Sequence, residues 1–367
     1  CIRDRNYTHG YRVDGELSAV DAFWSGAWHT VLAGTLRAGG QGLFALDVTD
    51  PSFIDFSESN AASTVLWEFT DSDDADLGYT YSEPSIVKMQ NGKWAVIIGN
   101  GYNNSEADGN ASTTGNAVLF ILFIEEGVDG TWSTGDYIKI DTGVGDVTTP
   151  NGLSTPAVID INGDYEADYI YAGDLRGNMW KFDVSDSSAN NWDVAYVDGS
   201  GNPQPLFQTQ AADGSAQPIT VRPDVGRHPT GTGYLVYFGT GQYLETGDNS
   251  AIGEVTQTFY GVWDKNAKNN LGQATLAAFD RGDLLQQSIL AEVTAQGFDL
   301  RVTSSNAINW HIGSGSPTGT PSTTHMGWYM DLINTEGGNT NNFGERAVTD
   351  PILRGDRIIF TTLLPSQ

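Results

Sequence analysis

The sequence predicts an all-β protein, and within that class a β-propeller, on three observations. A hydrophobic strand that ends in glycine, a polar turn that contains glycine and a second strand recur along the chain. Several strand-like runs begin directly after a proline, and convincing amphipathic helices are scarce. Strand, turn and strand repeated at blade-like intervals are typical of propellers. A β-sandwich is the alternative, because it also repeats short strands.

The strand–turn–strand repeat occurs in four places, namely Thr30–Pro51, Trp94–Gly127, Asp168–Ser185 and Tyr234–Lys265. Three of the four repeats close on an acid after the second strand, at Asp47, Asp183 and Asp264. We therefore expect four blades whose paired central strands are these segments.

Proline-led strands are expected at EPSIV, TPAVI and RPDVG, which contain Pro84, Pro156 and Pro223. They lie further apart than the ~40–50 residues of an ordinary four-stranded blade, so insertions are expected, one of them at Asn103–Asn116. The run GWYMDL near Trp328, followed by the segment from Glu345, resembles the start of another blade. The sequence thus predicts one propeller domain over residues 1–367, a fragment of a larger secreted protein with part of the ring outside this chain.

Gly282–Gly297 is the best helix candidate. Helical spacing is kept there by Leu284, Leu285, Ile289, Leu290 and Val293, which predicts a helix inserted between strands.

Composition excludes some function classes. The 367 residues carry 46 acids and 18 bases, a formal net charge of −28. Such a charge disfavours nucleic-acid backbones, which need clustered Lys and Arg, and anionic lipid. It suits solubility in salty surroundings, or cation binding.

No membrane span and no signal peptide are visible in the sequence. The longest apolar run, Ala117–Ile124, is far shorter than the roughly 20 residues that a spanning helix needs, and fits a buried strand. The lone cysteine, Cys1, can form no disulfide within the chain. It is a thiol at a truncated end, the partner of a cysteine outside the fragment, or a lipidated first residue.

The segment DINGDYEAD, residues 160–168, crowds oxygen-bearing side chains between two strand-like runs. Alternate residues of a curled hairpin loop can point at one centre, and Ca²⁺ takes 6–8 hard oxygen ligands. Asp160, Asn162 and Asp164 are expected to give side-chain oxygens, Glu166 its backbone carbonyl, and Asp168 the closing carboxylate. The alternatives are a solvated acidic turn and Mg²⁺, which suits a crowded protein cage less well.

The loop is not an EF-hand. Its start matches D-x-N-x-D, but Tyr165 stands where an EF-hand has glycine, and Tyr171 where it has glutamate. A second acidic stretch contains Asp71, Asp73, Asp74 and Asp76 without strict alternation. A plain surface loop is the favoured interpretation there, with a metal site as the alternative.

Several collinear motifs carry a family resemblance that extends from about Tyr7 to Pro365. The segment NGLSTPAVIDINGDYEADYIYAGDLRGNMWKF, together with GGQGLFALDVTDP, DLGYTYSEPSIV, KWAVIIGNGYN and GERAVTDPILRGDRIIFTTLLPS, resembles the PilY-type adhesins and biogenesis factors associated with the type IV pilus tip. The resemblance implies a modified, quinoprotein-like β-propeller at the C-terminal end of a larger secreted protein.

What the resemblance implies for function is specific. It implies a calcium loop that regulates pilus extension and retraction, twitching motility and surface attachment, with ligands Asp160, Asn162, Asp164, Asp168 and the carbonyl of Glu166. The implied partners are minor pilins, the type IV pilus machinery and a host-surface receptor. The implied location is the surface of a Gram-negative bacterium, at the pilus tip or outer membrane. Tyr165 departs from the glycine common in such loops.

Enzymatic chemistry finds little support in the sequence. The runner-up function is a quinone-dependent periplasmic dehydrogenase, but the adjacent cysteines of those resembling methanol dehydrogenase are missing, and the five histidines lack metal-ligand spacing. The chain is therefore predicted not to be an enzyme.

Two further motifs are read as structural. The Arg-Gly-Asp tripeptides at 281–283 and 354–356 are interpreted as a helix start and a hairpin turn rather than integrin motifs. Trp67, Trp94, Trp180 and Trp263 are read as blade core rather than sugar-binding platforms.

Overall fold

The chain divides into two compact units, Cys1–Thr155 and Pro156–Gln367, and each is described by itself. The computed structural model describes residues 10–50, 60–250, 255–265, 274–295, 297–319, 322–334 and 342–365. Cys1, and with it the three interpretations of its thiol, lies outside the described residues. A single propeller domain over residues 1–367 stays a prediction.

The first unit is built almost entirely of strands. They are β1 (Leu17–Trp24), β2 (Ala27–Thr35), β3 (Gly42–Asp47), β4 (Val65–Thr70), β5 (Ser85–Met89), β6 (Trp94–Gly99), β7 (Asn116–Phe123) and β8 (Tyr137–Gly145). One short helix, α1 (Ala61–Thr64), and 3-10 turns at Arg37–Gly39 and Glu126–Asp129 connect them.

Two antiparallel sheets bury the apolar residues of this unit. The first has the strand order β1-β2-β3-β4, and the second includes β5-β6-β7-β8 in that order. One face of each sheet feeds a common core, in which Trp67, Phe69, Val118 and Phe120 are buried. The apolar run Ala117–Ile124 forms the buried strand β7, as its length and composition predict.

The second unit is also built of strands. They are β9 (Ala157–Ile159), β10 (Glu166–Ala167), β11 (Tyr169–Gly173), β12 (Asn178–Asp183), β13 (Asp193–Val194), β14 (Tyr196–Val197), β15 (Phe207–Gln208), β16 (Asp224–Arg227), β17 (Tyr234–Gly239), β18 (Thr258–Asp264), β19 (Ala274–Thr275), β20 (Leu285–Ala295), β21 (Phe298–Thr303), β22 (Gly327–Asn334), β23 (Ile352–Arg354) and β24 (Arg357–Ile359). Its 3-10 turns are Ala189–Asn191, Thr246–Asn249 and Arg281–Asp283.

In the described residues, four sheets contain all of these strands except β10. One has the order β13-β12-β11-β9, with β15 also paired to β12, and a six-stranded sheet has the order β16-β17-β18-β22-β20-β21. Strand β14 pairs in parallel with β19, and β23 forms a hairpin with β24. The all-β prediction is confirmed by these sheets.

The sequence repeats correspond to paired strands. The four strand–turn–strand units are the antiparallel pairs β2–β3, β6–β7, β11–β12 and β17–β18. Pro84, Pro156 and Pro223 each stand directly before a strand, β5, β9 and β16 respectively. The stretch Asn103–Asn116 separates β6 from β7 as an irregular loop. Trp67, Trp180 and Trp263 are buried and Trp94 is half-buried, which supports the reading of these residues as core.

The predicted helix Gly282–Gly297 is wrong, because this segment contains the strand β20. A β-bulge shifts the pairing of β20 with β21 between Ile289 and Ala291. An extra residue of this kind switches the face on which alternate side chains lie. Leu285 and Ile289 therefore lie on one face, and Ala291 and Val293 on the other. Because the apolar residues change face after the bulge, their spacing along the sequence resembles that of an amphipathic helix.

The predicted last blade start is also wrong at Trp328. The strand β22 pairs with β18 and β20 inside the six-stranded sheet, so GWYMDL completes the fourth repeat's sheet. Only the segment after Glu345 forms separate strands, the β23–β24 hairpin. The sequence missed this because β22 follows a long insertion that carries β20 and β21.

Candidate metal site

The acidic segment 160–168 closes a β-hairpin between β9 and β11. Ile159 is opposite Tyr169, Val158 opposite Ile170, and Ala157 opposite Tyr171. Strand β11 is completely buried, because its aromatic and aliphatic side chains form part of the core of the unit. The hairpin thus places the acidic loop at the end of two well-packed strands, as the flanking residues predict.

Asp160 organises the first half of the loop. Its Oδ1 accepts hydrogen bonds from the backbone amides of Asn162 (3.1 Å) and Gly163 (2.6 Å), and its Oδ2 accepts one from Tyr165 (2.8 Å). Slight burial raises the pKa of the Asp160 carboxyl, but these amides together lower it below its usual value. The carboxylate is therefore ionised at neutral pH, as a calcium ligand must be.

Alternate side chains continue this arrangement. Asn162 Oδ1 accepts from the amide of Asp164 at 2.8 Å, and Asp164 Oδ1 accepts from the amide of Glu166 at 2.9 Å. Each side chain thus bonds to the amide two residues ahead, which curls the backbone tightly. The D-x-N-x-D alternation is the sequence cause of this curl.

Tyr165 occupies a position that favours glycine. Its φ is +68°, in the left-handed region, and its side chain is 89% exposed. A residue with a Cβ pays roughly 1–2 kcal/mol for this conformation. Glycine adopts this conformation without that cost, and the high exposure of Tyr165 shows that its ring gains little packing in return.

Asp168 anchors the loop to the sheet. Only 3% of the residue is exposed, and its Oδ2 accepts from the amide of Ile161 at 2.9 Å. Its own amide donates to Ile159 (3.0 Å), and its carbonyl accepts from Val184 (3.0 Å). This carboxylate is held in place by the strands, whereas Asp160 and Asp164 lie on the exposed part of the loop.

The hairpin brings all five predicted ligands, Asp160, Asn162, Asp164, Glu166 and Asp168, into one nine-residue loop. Their oxygens are of the hard type that Ca²⁺ prefers, and the donor set fits the ion chemically. In this conformation the side-chain oxygens accept loop amides, and within the described ranges no three acids, histidines or cysteines are placed so as to hold a metal. Binding would therefore require the exposed carboxylates to turn toward a common centre.

Two aspartates of the second acidic stretch, Asp74 and Asp76, pair with a lysine that the sequence analysis missed. Lys139 Nζ lies 2.9 Å from Asp74 Oδ2 and 3.0 Å from Asp76 Oδ2. Tyr137 also donates to Asp74 Oδ2 at 2.9 Å, and Asp74 is buried. An ammonium group thus compensates these carboxylates, and the stretch is more enclosed than the plain surface loop that was expected. No local signal marks Lys139, which lies on β8, far along the chain.

A buried ion pair lies next to the base of the candidate loop. Lys181 Nζ is 2.7 Å from Asp264 Oδ2, with the two side chains 1% and 0% exposed. Tyr171 donates to the same oxygen at 2.5 Å, and Tyr196 donates to Oδ1. Lys181 Nζ also lies 4.0 Å from the ring centroid of Tyr169, the residue after Asp168. Asp264 ends one sequence repeat, but only the structure reveals its partners.

The two Arg-Gly-Asp tripeptides differ in accessibility. Arg281 begins a 3-10 turn and donates to Asp331 at 2.6 and 2.8 Å, while Asp283 accepts from Ser322 at 2.8 Å. The first tripeptide is thus engaged internally. The second forms the turn of the β23–β24 hairpin, as predicted, with the Asp356 side chain 98% exposed.

Repeated antiparallel strand pairs and an oxygen-rich hairpin loop are the features of a β-propeller domain with a candidate cation site. The chain belongs to the family of PilY1 β-propeller domains, whose family model matches residues 3–299. This membership confirms the propeller prediction and the resemblance drawn from the sequence motifs.

Known relatives agree over nearly the whole chain. The chain is 37% identical to the type IV pilus biogenesis factor PilY1 of Pseudomonas aeruginosa, over 98% of this chain and 29% of that protein. It is 39% identical to a PilY1 homolog of Xylella fastidiosa, over 99% of this chain and 22% of that protein. The chain therefore spans less than a third of the length of these relatives. They are named as type IV pilus biogenesis factors or their homologs.

A solved structure supports the fold. The crystal structure of the Pseudomonas aeruginosa PilY1 C-terminal domain matches with a TM-score of 0.76 and 37% identity, over 96% of this chain and 68% of that chain. Among the helices of the described residues, none has the length and apolar character to cross a membrane.

Proposed function

We propose that this domain binds Ca²⁺ in the 160–168 loop and thereby regulates a type IV pilus. Asp160, Asn162, Asp164 and Asp168 would supply side-chain oxygens, and Glu166 its backbone carbonyl. The observation that carries the proposal is the loop itself. It holds four acids and no base within nine residues, at the end of a hairpin whose strand β11 is buried.

The electrostatics favour a divalent ion over an empty loop. Four carboxylates within one short loop repel each other, and a divalent cation changes that repulsion into binding energy. Asp168 is already fixed by the strands, so it needs little reorganisation. The exposed Asp160 and Asp164 must exchange hydrogen bonds with loop amides for bonds to the ion, so the affinity depends on how easily the loop uncurls.

The cellular role follows from the family. The relatives are named type IV pilus biogenesis factors, and we propose that this chain acts in the same process. Its partners would be minor pilins and other parts of the pilus machinery, with a host-surface receptor as a further partner. The location would be the surface of a Gram-negative bacterium, at the pilus tip or outer membrane. The bound ion would shift the balance between pilus extension and retraction, and so twitching motility and attachment.

Calorimetric titration of the EGTA-treated domain with CaCl₂ tests the binding step. Asp164→Ala should weaken the affinity at least about tenfold, because it removes a charged ligand. The matched control is Asp198→Ala. Asp198 is another exposed turn aspartate whose Oδ1 accepts the amides of Ser200 and Asn202, but it has no alternating acids around it. Equal affinity in Asp164→Ala and the wild type would contradict the ligand assignment.

Motility tests the regulatory step separately. Bacteria carrying Asp164→Ala in the full-length protein should show altered twitching at unchanged protein level, whereas Asp198→Ala should twitch normally. If Asp164→Ala abolishes calcium binding but leaves twitching unaltered, the ion is only a structural part of the hairpin, and the proposed regulation is contradicted.

A further inference from the structure

A cavity of about 680 Å³ lies on one face of the six-stranded sheet in the second unit. One wall is strand β22, which directs Trp328, Met330 and Leu332 into the cavity at alternate positions. Successive residues of a strand point to opposite faces, so the run GWYMDL encodes this apolar wall. Pockets for small molecules typically have volumes of about 300–1,000 Å³ and mainly apolar walls. The cavity therefore has the size and the lining of a ligand site.

A second wall is the segment that leaves the β23–β24 turn. Asp356, Ile358, Phe360 and Thr362 line the cavity at every second position. Ile358 and Phe360 are the apolar middle of this wall. A carboxylate therefore stands at one end of it, in the turn, and a hydroxyl at the other.

The charged groups at the cavity favour a cation. Arg301 lines it from β21, but donates to Glu345 at 2.5 and 2.8 Å and to Glu292 at 2.8 Å. Two carboxylates thus outweigh this one positive charge. Asp356 adds a third carboxylate, whose side chain is 98% exposed and whose partner is the neighbouring Arg357, at 4.0 Å. A ligand with a positive charge is attracted to this cavity, and one with a negative charge is repelled.

The aromatic rings of the two walls favour the same sign of charge. The face of an aromatic ring attracts ammonium groups through its quadrupole. Phe360 stacks on Phe259 of β18 with ring centroids 3.9 Å apart, and Trp328 lies 5.9 Å from the same ring. One residue of the sheet thus supports both aromatic side chains. Because they are held in place before a ligand arrives, little ordering is needed on binding.

We propose that this cavity binds a small organic ammonium ion that carries an apolar body. The ammonium group lies beside the Asp356 carboxylate, and the body packs against Ile358, Phe360 and Trp328. The apolar walls supply most of the affinity, because an ion pair with an exposed carboxylate contributes little. The charge at the cavity sets the selectivity, so an amine binds more tightly than an alcohol or an acid of the same shape.

The probe is para-fluorophenylbutylamine, compared with the alcohol and the carboxylic acid that have the same aryl-alkyl body. Fluorine NMR titration of the wild-type domain at low salt should show saturable binding of the amine. The amine should bind about threefold more tightly than the alcohol, and the carboxylate should bind more weakly than either. Added salt should reduce the preference for the amine, because ions screen an exposed pair. Absence of saturable amine binding, or an alcohol that binds as tightly as the amine, would overturn the proposal.

Asp356→Asn tests the position of the ammonium group. This variant should bind the amine and the alcohol equally, with the affinity for the alcohol unchanged because the apolar walls are intact. The matched control is Asp213→Asn, which removes the same charge from another exposed turn, where Asp213 Oδ1 accepts the amide of Ser215 at 3.0 Å. It should keep the preference for the amine. A preference that survives in Asp356→Asn, or one that both variants lose, would overturn the proposal.

Thr303→Trp tests the cavity itself, because Thr303 is exposed and lines it, and an indole there would fill part of its volume. The affinities for the amine and the alcohol should fall together, at least about tenfold. The matched control is Thr294→Trp, on the same hairpin but outside the cavity wall, which should bind as the wild type does. Unchanged amine binding by Thr303→Trp would overturn the proposal. Should this variant fail to fold, Asp356→Asn, in an exposed turn, still tests the proposal by itself.

Discussion

Replacement of Lys181 by methionine should destabilise the domain severely, since it leaves the Asp264 carboxylate buried without its cation. The two side chains are 1% and 0% exposed, and Nζ lies 2.7 Å from Oδ2. Breaking a buried pair by removing one partner costs about 3–5 kcal/mol of unfolding free energy. The hydroxyls of Tyr171 and Tyr196 still donate to the carboxylate, which places our expectation at about 3 kcal/mol.

The effect of Lys181→Met should depend on pH. Burial raises the pKa of the Asp264 carboxyl, but Lys181 and the two tyrosines together lower it. In the wild type the stabilisation is present above the unfolded pKa of about 3.9 and is lost as the pH falls through the lower folded pKa. In the variant burial dominates, so the folded pKa rises and the penalty applies at neutral pH. The difference in stability between the two proteins should therefore shrink as the pH falls from about 7 to about 4.

Urea unfolding followed by tryptophan fluorescence at several pH values measures this difference. Lys93→Met is the control, because Lys93 pairs with Glu126 at the surface, where an ion pair contributes about 0–1 kcal/mol. The double variant Lys181→Met/Asp264→Asn should be more stable than Lys181→Met alone, since it buries no charge. A loss below about 1 kcal/mol, or one that does not vary with pH, would refute the reasoning.

Three further outcomes are expected. Tyr165→Gly should stabilise the apo domain against thermal unfolding by about 1 kcal/mol, because it removes the strain of a Cβ at a left-handed backbone position. Gly163→Val, at φ +83°, should destabilise the domain by a similar amount for the same reason. If both substitutions changed the stability in the same direction, this reasoning would be wrong. Lys139→Met should cost about 1–3 kcal/mol in urea unfolding, because it leaves the Asp74 and Asp76 carboxylates without their cation; a neutral result would show that water replaces it. Calcium at a hundred times its dissociation constant should stabilise the domain by about 2.7 kcal/mol and raise the Tm. An equal Tm for the calcium-loaded and the EGTA-treated domain would contradict this.

Local patterns predicted much of the fold. Each strand–turn–strand repeat and each proline-led strand was predicted from residues that lie close together in the sequence. In the structure these segments are paired strands. The β20 helix prediction failed because a bulge moved the apolar residues from one face to the other after Ile289. The β22 prediction failed because strand pairing is set by long-range contacts, and β22 pairs with β18 across an insertion.

The candidate site shows the same division. The loop ligands lie within nine residues, so their alternation was visible in the sequence. The partners of Asp74, Asp76 and Asp264 were not visible, because Lys139 and Lys181 lie more than about sixty positions away and only folding brings such residues together. The left-handed φ of Tyr165 was signalled only by the missing glycine.

A crystal structure of the domain grown in CaCl₂ would examine the proposed ion in the 160–168 loop. We expect one ion bound by Asp160, Asn162, Asp164, Asp168 and the carbonyl of Glu166, at about 2.3–2.6 Å from each oxygen, with the Asp160 carboxylate released from at least one loop amide. A loop that keeps those amide hydrogen bonds and holds no ion at millimolar calcium would contradict the account.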